Sequence, residues 1–179
     1  MIALDAPAHG ASPGRMTNLV EYGAAIQAAV EQYGPVRAIF AHSFGALAAL
    51  LLLAEKPDLA VEAVIVNNPP GEIRSLMELF AAELDLPVHL KCALSDHIET
   101  HFGRSVDYYS LQKHASSLDL PGMLIVDPQD RLARFESMQT LAAQWHRVRL
   151  VIKEGLGHQG ALRDANVIQE VVSFIQAPF

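Results

Sequence analysis

The sequence of 179 residues contains a single cysteine, Cys92, so an internal disulfide is excluded. Basic residues are also few: 13 Lys and Arg stand against 20 Asp and Glu, which argues against a nucleic-acid partner. No apolar run reaches the roughly 18 residues that a membrane span needs. The N-terminus lacks the charged segment and apolar segment of a signal peptide. We therefore expect a cytoplasmic protein without nucleic-acid or membrane partners.

Half of the residues are apolar, which is enough to form the core of one domain. Short apolar runs rich in β-branched residues alternate with stretches of helical spacing. They predict five strands: Met1–Asp5, a run that begins at Val36, Val61–Asn67, Pro121–Asp127 and Val148–Lys153. This alternation predicts an α/β fold, with a mostly parallel sheet of about five strands and helices on both faces.

One long segment, from Glu72 to about Asp119, departs from this alternation. It contains no strand-like run, is more polar, and has the spacing of three helices. We therefore divide the chain into an α/β core, residues 1–70 and 120–179, and a helical insertion, residues 71–119. Its place between two strands lets it cover the carboxyl ends of the sheet, where parallel sheets bind their ligands.

A serine stands at the sharpest predicted turn, between the strand that begins at Val36 and the helix Ala46–Ala54. Its surroundings read Ala41-His42-Ser43-Phe44-Gly45, with small residues on both sides of the turn. Such a turn exposes the serine hydroxyl, and the helix start leaves backbone N–H groups free to face an oxyanion. The alternative is a serine that only caps an apolar helix.

Two further residues follow later strands and complete a set with catalytic chemistry. Asp130 stands in the turn after the fourth strand, and His158 stands in a glycine-rich loop after the fifth. A serine needs a base to accept its proton, an imidazole can be that base near pH 7, and a carboxylate orients the imidazole. Asp127 is the alternative carboxylate, although we expect it to brace the turn.

These segments resemble the α/β-hydrolase superfamily. Its strand-and-loop pattern D-x-P-G-H-G-x-S resembles the run from Asp5 to Ser12, and its serine turn resembles Ala41–Gly45. Its acid strand and its G-x-G-H ending resemble Leu124–Asp130 and Gly155–His158. The resemblance implies a Ser43, His158 and Asp130 triad, a Phe44 N–H as an oxyanion donor, a cap at 71–119, and a small-molecule substrate.

Other polar residues are candidates for weaker roles. His42, His9 and Asn68 flank the expected pocket, and we predict that they contact substrate. His97 and His101 have the helical spacing of metal ligands, but a solvated helix face is the preferred interpretation, so no metal site is expected. No phosphate loop or dinucleotide-binding pattern is present, so no cofactor is expected.

The resemblance is incomplete at the N-terminus. The family normally has three strands before the segment at Met1, and a loop after the third donates a second oxyanion N–H. We therefore expect a truncated or late-started hydrolase fold, and loss of one donor reduces kcat by roughly 100- to 1000-fold. The preferred function is a serine hydrolase acting on a small ester-like or related carbonyl substrate. The alternative is a weakly active or inactive hydrolase-like protein that acts through association.

The predicted strand at Ile2–Asp5 then lacks its usual neighbour. It either pairs with the Ile39 strand, takes a strand from a second chain, or stays poorly paired. Exposed strand edges recruit other strands, and a symmetric dimer buries the same surface on both copies. We predict a homo-oligomer, most simply a dimer, with residues 1–30 in the contact.

Light scattering on the purified chain tests this prediction. A dimeric mass across the micromolar range is the expected result. A monomeric mass with a cooperative thermal transition would contradict it.

Overall fold

The computed structural model describes residues 1–179, which form one parallel sheet with helices on both faces. The strands are β1 (Ile39–His42), β2 (Val64–Asn67), β3 (Gly122–Val126) and β4 (Val148–Ile152). They stand in the order β1-β2-β3-β4, and each neighbouring pair is parallel. All four carboxyl ends therefore meet at one edge of the sheet.

Eight α-helices and two short 3-10 helices connect or follow these strands. They are α1 (Leu19–Tyr33), α2 (Ser43–Glu55), α3 (Ile73–Glu83), α4 (Val88–Phe102), η1 (Val106–Tyr108), α5 (Leu111–His114), η2 (Ala115–Ser117), α6 (Phe135–Gln144), α7 (Gly157–Gly160) and α8 (Ala165–Gln176). Asn18 caps α1 by accepting from the N–H of Glu21, and Asp164 caps α8 in the same way.

The two faces of the sheet build two separate apolar clusters. On β2, Val64 and Val66 pack with α2 and α6, whereas Ile65 faces the cluster completed by α8. Successive side chains of a strand point to opposite faces, so a strand buried on both sides must be apolar throughout. The predicted α/β fold with helices on both faces is confirmed, with four strands in place of five.

Helix α2 is the central element of the larger cluster. Every residue from Gly45 to Leu53 is buried, which matches a run without a single polar side chain. Helix α1 packs along it through Ile26 against Ala48 and Ala49. A Cβ on Gly45 would lie 2.8 Å from the hydroxyl oxygen of Tyr22, so a larger residue here would require the Tyr22 ring to move.

The predicted first strand is the exception. Residues Met1–Asp5 form no strand and pair neither with β1 nor with any other strand, and the side chain of Ile2 is 62 % exposed. The segment joins no strand of the sheet, so its apolar composition alone does not make it a strand. Strand β1 keeps one open edge, and Phe40 on it is 46 % exposed.

The helical segment predicted at 71–119 lies between β2 and β3, but its two halves differ. Helices α3 and α4 contain one buried residue, Ala81. The predicted third helix is divided into η1, α5 and η2, and Leu111, Ala115 and Leu118 from this part are buried in the larger core cluster. The second half of the segment therefore belongs to the core by its packing.

None of the helices combines the length and the apolarity that crossing a bilayer requires.

Two glycines allow a matched test of the packing. Gly122 begins β3, and a Cβ there would overlap the indole ring of Trp145, which is buried and donates its Nε1–H to the carbonyl oxygen of Leu120. We expect Gly122→Ala to lower the free energy of unfolding by about 1–3 kcal/mol. Urea denaturation measures this change.

Gly23→Ala is the control for the same chemical change. Gly23 lies inside α1, and a Cβ there would meet its nearest neighbour, the carbonyl oxygen of Ala48, at 4.0 Å. Because alanine favours a helix by about 1 kcal/mol over glycine, this variant should be neutral or stabilised. Equal destabilisation of both variants would refute the packing argument.

Candidate active site

Ser43 lies at the carboxyl end of the sheet, between β1 and α2. Its backbone is left-handed, with φ of 52°, which is unusual for a residue with a side chain. His42 before it is extended, so the chain reverses direction within two residues and enters the helix. The predicted serine turn between a strand and a helix is therefore present.

Ser43, His158 and Asp130 form one hydrogen-bonded chain. The Nε2 atom of His158 lies 2.8 Å from the Oγ of Ser43, and its Nδ1 lies 2.6 Å from the Oδ2 of Asp130. A carboxylate can only accept, so Nδ1 carries the proton and the unprotonated Nε2 accepts from the serine hydroxyl. The imidazole is thereby in the tautomer that a general base requires.

Asp130 is oriented by its own turn. Its side chain is 1 % exposed, against 23 % for that of His158, and its Oδ1 accepts from the backbone N–H of Leu132 at 2.8 Å. The second oxygen is left for the imidazole. A carboxylate held at both oxygens cannot rotate freely, so it presents one fixed acceptor to His158.

Asp127 has different hydrogen-bond partners from Asp130, although both residues follow β3. Its side chain accepts from the backbone N–H groups of Gln129 and Gly157, and so connects the acid turn to the histidine loop. Burial disfavours its charged form, but the N–H groups of Gln129 and of residues 155–157 outweigh this effect. They hold the pKa of Asp127 below its usual range. The carboxylate that contacts the histidine is thus Asp130.

The histidine loop depends on two glycines. Gly155 and Gly157 have φ of 80° and 63°, and a side chain at either position would be strained. This backbone path places His158 at the start of the short helix α7.

His42 lies directly beside His158. The centroids of the two rings are 4.7 Å apart, and the Nδ1 of His42 lies 2.9 Å from the amide nitrogen of Asn67. Burial lowers the pKa of His42, and the neighbouring His158 lowers it further, against the opposing effects of the Asn67 carbonyl and Asp130. A neutral His42 adds no positive charge next to the imidazole of His158.

The remaining predicted site residues lie in three different environments. Phe44 is in the first turn of α2, where backbone N–H groups have no acceptor within the helix. His9 is exposed, and its Nδ1 lies 3.0 Å from the carbonyl oxygen of Pro7 in its own loop. Asn68 is 1 % exposed, and its side chain bonds to Asp127 and to the histidine loop. Its amide oxygen and nitrogen both bond to protein groups, and the substrate contact expected from the sequence stays a prediction.

Two cavities, of about 660 and 230 Å³, lie along helices α1 and α2, and neither includes Ser43 or His158. His97 and His101 stack with centroids 5.6 Å apart on α4, and no group of three metal-binding side chains is present in the structure.

The sheet order, the serine turn and the placement of an acid and a histidine after later strands define an α/β-hydrolase fold. The model of the Alpha/beta hydrolase family matches residues 1–171, so the chain belongs to this family. None of the curated proteins has a matching sequence.

Solved structures with the same fold are distant in sequence. The monoacylglycerol lipase of Paleococcus ferrophilus has a TM-score of 0.70 at 20% identity, covering 94% of this chain and 80% of the lipase. The mouse Alpha/beta hydrolase domain-containing protein 10 has a TM-score of 0.69 at 14% identity, covering 96% and 74%. The esterase RhEst1 from Rhodococcus sp. ECU1013 has a TM-score of 0.68 at 16% identity, covering 97% and 78%. At these identities the likeness supports the fold.

Asp127 generates a prediction about stability and pH. Asp127→Asn replaces a carboxylate that accepts two backbone hydrogen bonds, and each bond to a charged group contributes about 1.5–3 kcal/mol. At pH 7 the variant should be less stable by an amount in this range, measured by urea denaturation.

The pH dependence follows from the depressed pKa of Asp127. The ionised side chain of Asp127 contributes its full share of folding stability above the ordinary pKa of an aspartate, about 4. This stability is lost as the pH falls through the lower pKa that Asp127 has in the folded state. The difference in the free energy of unfolding between wild type and Asp127→Asn should therefore become smaller below about pH 4. Asp58→Asn, at an exposed turn, is the control. A difference that stays constant down to pH 3 would argue against the bracing role.

Proposed function

We propose that this protein is a serine hydrolase that acts on a small ester-like or related carbonyl substrate. The observation that carries the proposal is the continuous chain from the Ser43 hydroxyl through His158 to Asp130, with contacts of 2.8 and 2.6 Å. Each side chain is of the type and in the tautomer that its step requires. Membership of the Alpha/beta hydrolase family supports the same reaction class.

The reaction proceeds in two halves. His158 accepts the proton of Ser43 as the hydroxyl oxygen attacks the carbonyl carbon, and the resulting oxyanion faces the N–H of Phe44. The protonated His158 then gives its proton to the leaving oxygen, the carbon–oxygen bond breaks, and an acyl-serine remains. Water repeats the sequence: His158 takes its proton, the acyl carbon is attacked, and the proton returns to Ser43 as the acid leaves.

The carboxylate of Asp130 stabilises the positive charge that forms on His158 during the reaction. Asp130 remains ionised while the imidazole is protonated, so it stabilises the charge that forms on His158. Because Leu132 already holds the other carboxylate oxygen, this stabilisation needs no movement of the side chain.

Association is the second candidate function. The open edge of β1 and the exposed side chain of Phe40 favour it, because free strand edges and apolar side chains are common sites of contact. It predicts no activated serine, so the same labelling experiment separates the two functions.

A fluorophosphonate probe tests the proposal. Wild-type protein should be labelled at one residue, Ser43, and Ser43→Ala should abolish labelling. Asp130→Asn should slow labelling by about 10⁴-fold, since it removes the acceptor that fixes the histidine tautomer. Mass spectrometry of the labelled peptide identifies the site.

Ser173→Ala provides the matched control, since Ser173 is an exposed serine on α8. This variant should be labelled at the wild-type rate. Folded wild-type protein that stays unlabelled between pH 5 and 9 would favour the association role instead.

A further inference from the structure

The side chain of Asn68 bonds to both loops that carry triad residues. Its Oδ1 accepts from the backbone N–H of Asp127 at 2.9 Å, where the acid turn begins. Its Nδ2 donates to the carbonyl oxygens of Gly157 and His158 at 3.2 and 3.1 Å. One amide at the end of the second strand therefore connects the acid turn to the backbone of the histidine itself.

The arrangement demands the chemistry of asparagine. Two hydrogens and one acceptor are used on a short side chain, and an aspartate of the same shape would place an oxygen against two carbonyl oxygens. The backbone at Asn68 is left-handed, with φ of 45°, a conformation that asparagine tolerates better than most residues. Asn68 is 1 % exposed, so water does not replace these bonds easily.

The histidine loop needs such a restraint. Gly155 and Gly157 both have positive φ, and a Cβ at either would meet no atom within 4 Å, so side-chain packing does not hold these two positions. The polar bonds to the loop come from Asn68 at its carbonyl groups and from Asp127 at the N–H of Gly157. The Nδ2 of Asn68 donates to the main-chain carbonyl oxygen of His158, from which the imidazole side chain is three bonds away or fewer along the same residue, so this bond restrains the position of that side chain.

We propose that Asn68 is a positioning residue that holds the imidazole of His158 between Ser43 and Asp130. The proposal rests on the function proposed above and assigns Asn68 no contact with substrate. A displacement of about 1 Å in a reacting group costs on the order of 100-fold in rate. Loss of the amide bonds therefore acts on the chemical step and leaves substrate binding alone.

Asn68→Asp is the sharpest variant, because it keeps the size and the acceptor and replaces the donor. With p-nitrophenyl acetate as the probe substrate, kcat should fall by about 10- to 100-fold and KM should stay within about twofold. The proton NMR signal of the Nδ1–H that His158 donates to Asp130 should shift or disappear. Asn166→Asp makes the same change at an exposed position of α8 and should alter neither quantity.

Asn68→Gly is the second variant, and it keeps the proposal testable if Asn68→Asp does not fold. Glycine accepts the left-handed backbone without strain and removes only the amide, so the same fall in kcat and the same change in the NMR signal are expected. Wild-type kcat and an unchanged His158 signal in either folded variant would overturn the positioning role. If wild-type Ser43 does not react with fluorophosphonate, the proposed hydrolase function fails, whereas the NMR signal of His158 still reports on Asn68.

Discussion

The left-handed turn at Ser43 is the constraint on which the rest of the site depends. A residue with a side chain pays about 1–3 kcal/mol for such a backbone, and the burial of α2 offsets that cost. Each fully buried leucine contributes about 1.5–3 kcal/mol, and α2 buries residues 45–53 without interruption. The serine is thus attached to a helix that is buried over most of its length. The acid and the histidine, which come from surface loops, must be brought to it.

Buried polar side chains bring the loops to the serine. Asn67, Asn68, Asp127 and Asp130 are all buried at the carboxyl ends of β2 and β3. A buried polar group that lacks a partner is costly, and Asn68, Asp127 and Asp130 bond to the acid turn or the histidine loop, whereas the amide nitrogen of Asn67 faces His42. Asn68 and Asp127 engage five backbone groups of the acid turn and the histidine loop between them. The contacts of His158 with Ser43 and Asp130 follow from this framework.

The helical segment between β2 and β3 combines two kinds of packing. Its second half contributes Leu111 and Leu118 to the main core, and Tyr108 donates its hydroxyl to Glu55 on α2 at 2.6 Å. Helices α3 and α4 contain one fully buried residue, Ala81, and large apolar residues such as Phe80 and Leu84 stay exposed. The second half of the segment is thus fixed in the core, whereas α3 and α4 are mostly exposed to solvent.

The sequence by itself determined the alternation of strands and helices, the serine turn, and the candidates Ser43, Asp130 and His158, because periodicity and turn chemistry are local. It also separated Asp127, as a turn brace, from Asp130. Only the tertiary structure decided that Met1–Asp5 is not a strand, since a strand needs a neighbour for its hydrogen bonds. The hydrogen bonds of Asn68 could not be predicted from the sequence for a similar reason. Its three partners lie 59 to 90 residues away along the chain, and only the packing of β2 beside β3 and the histidine loop brings them to one amide.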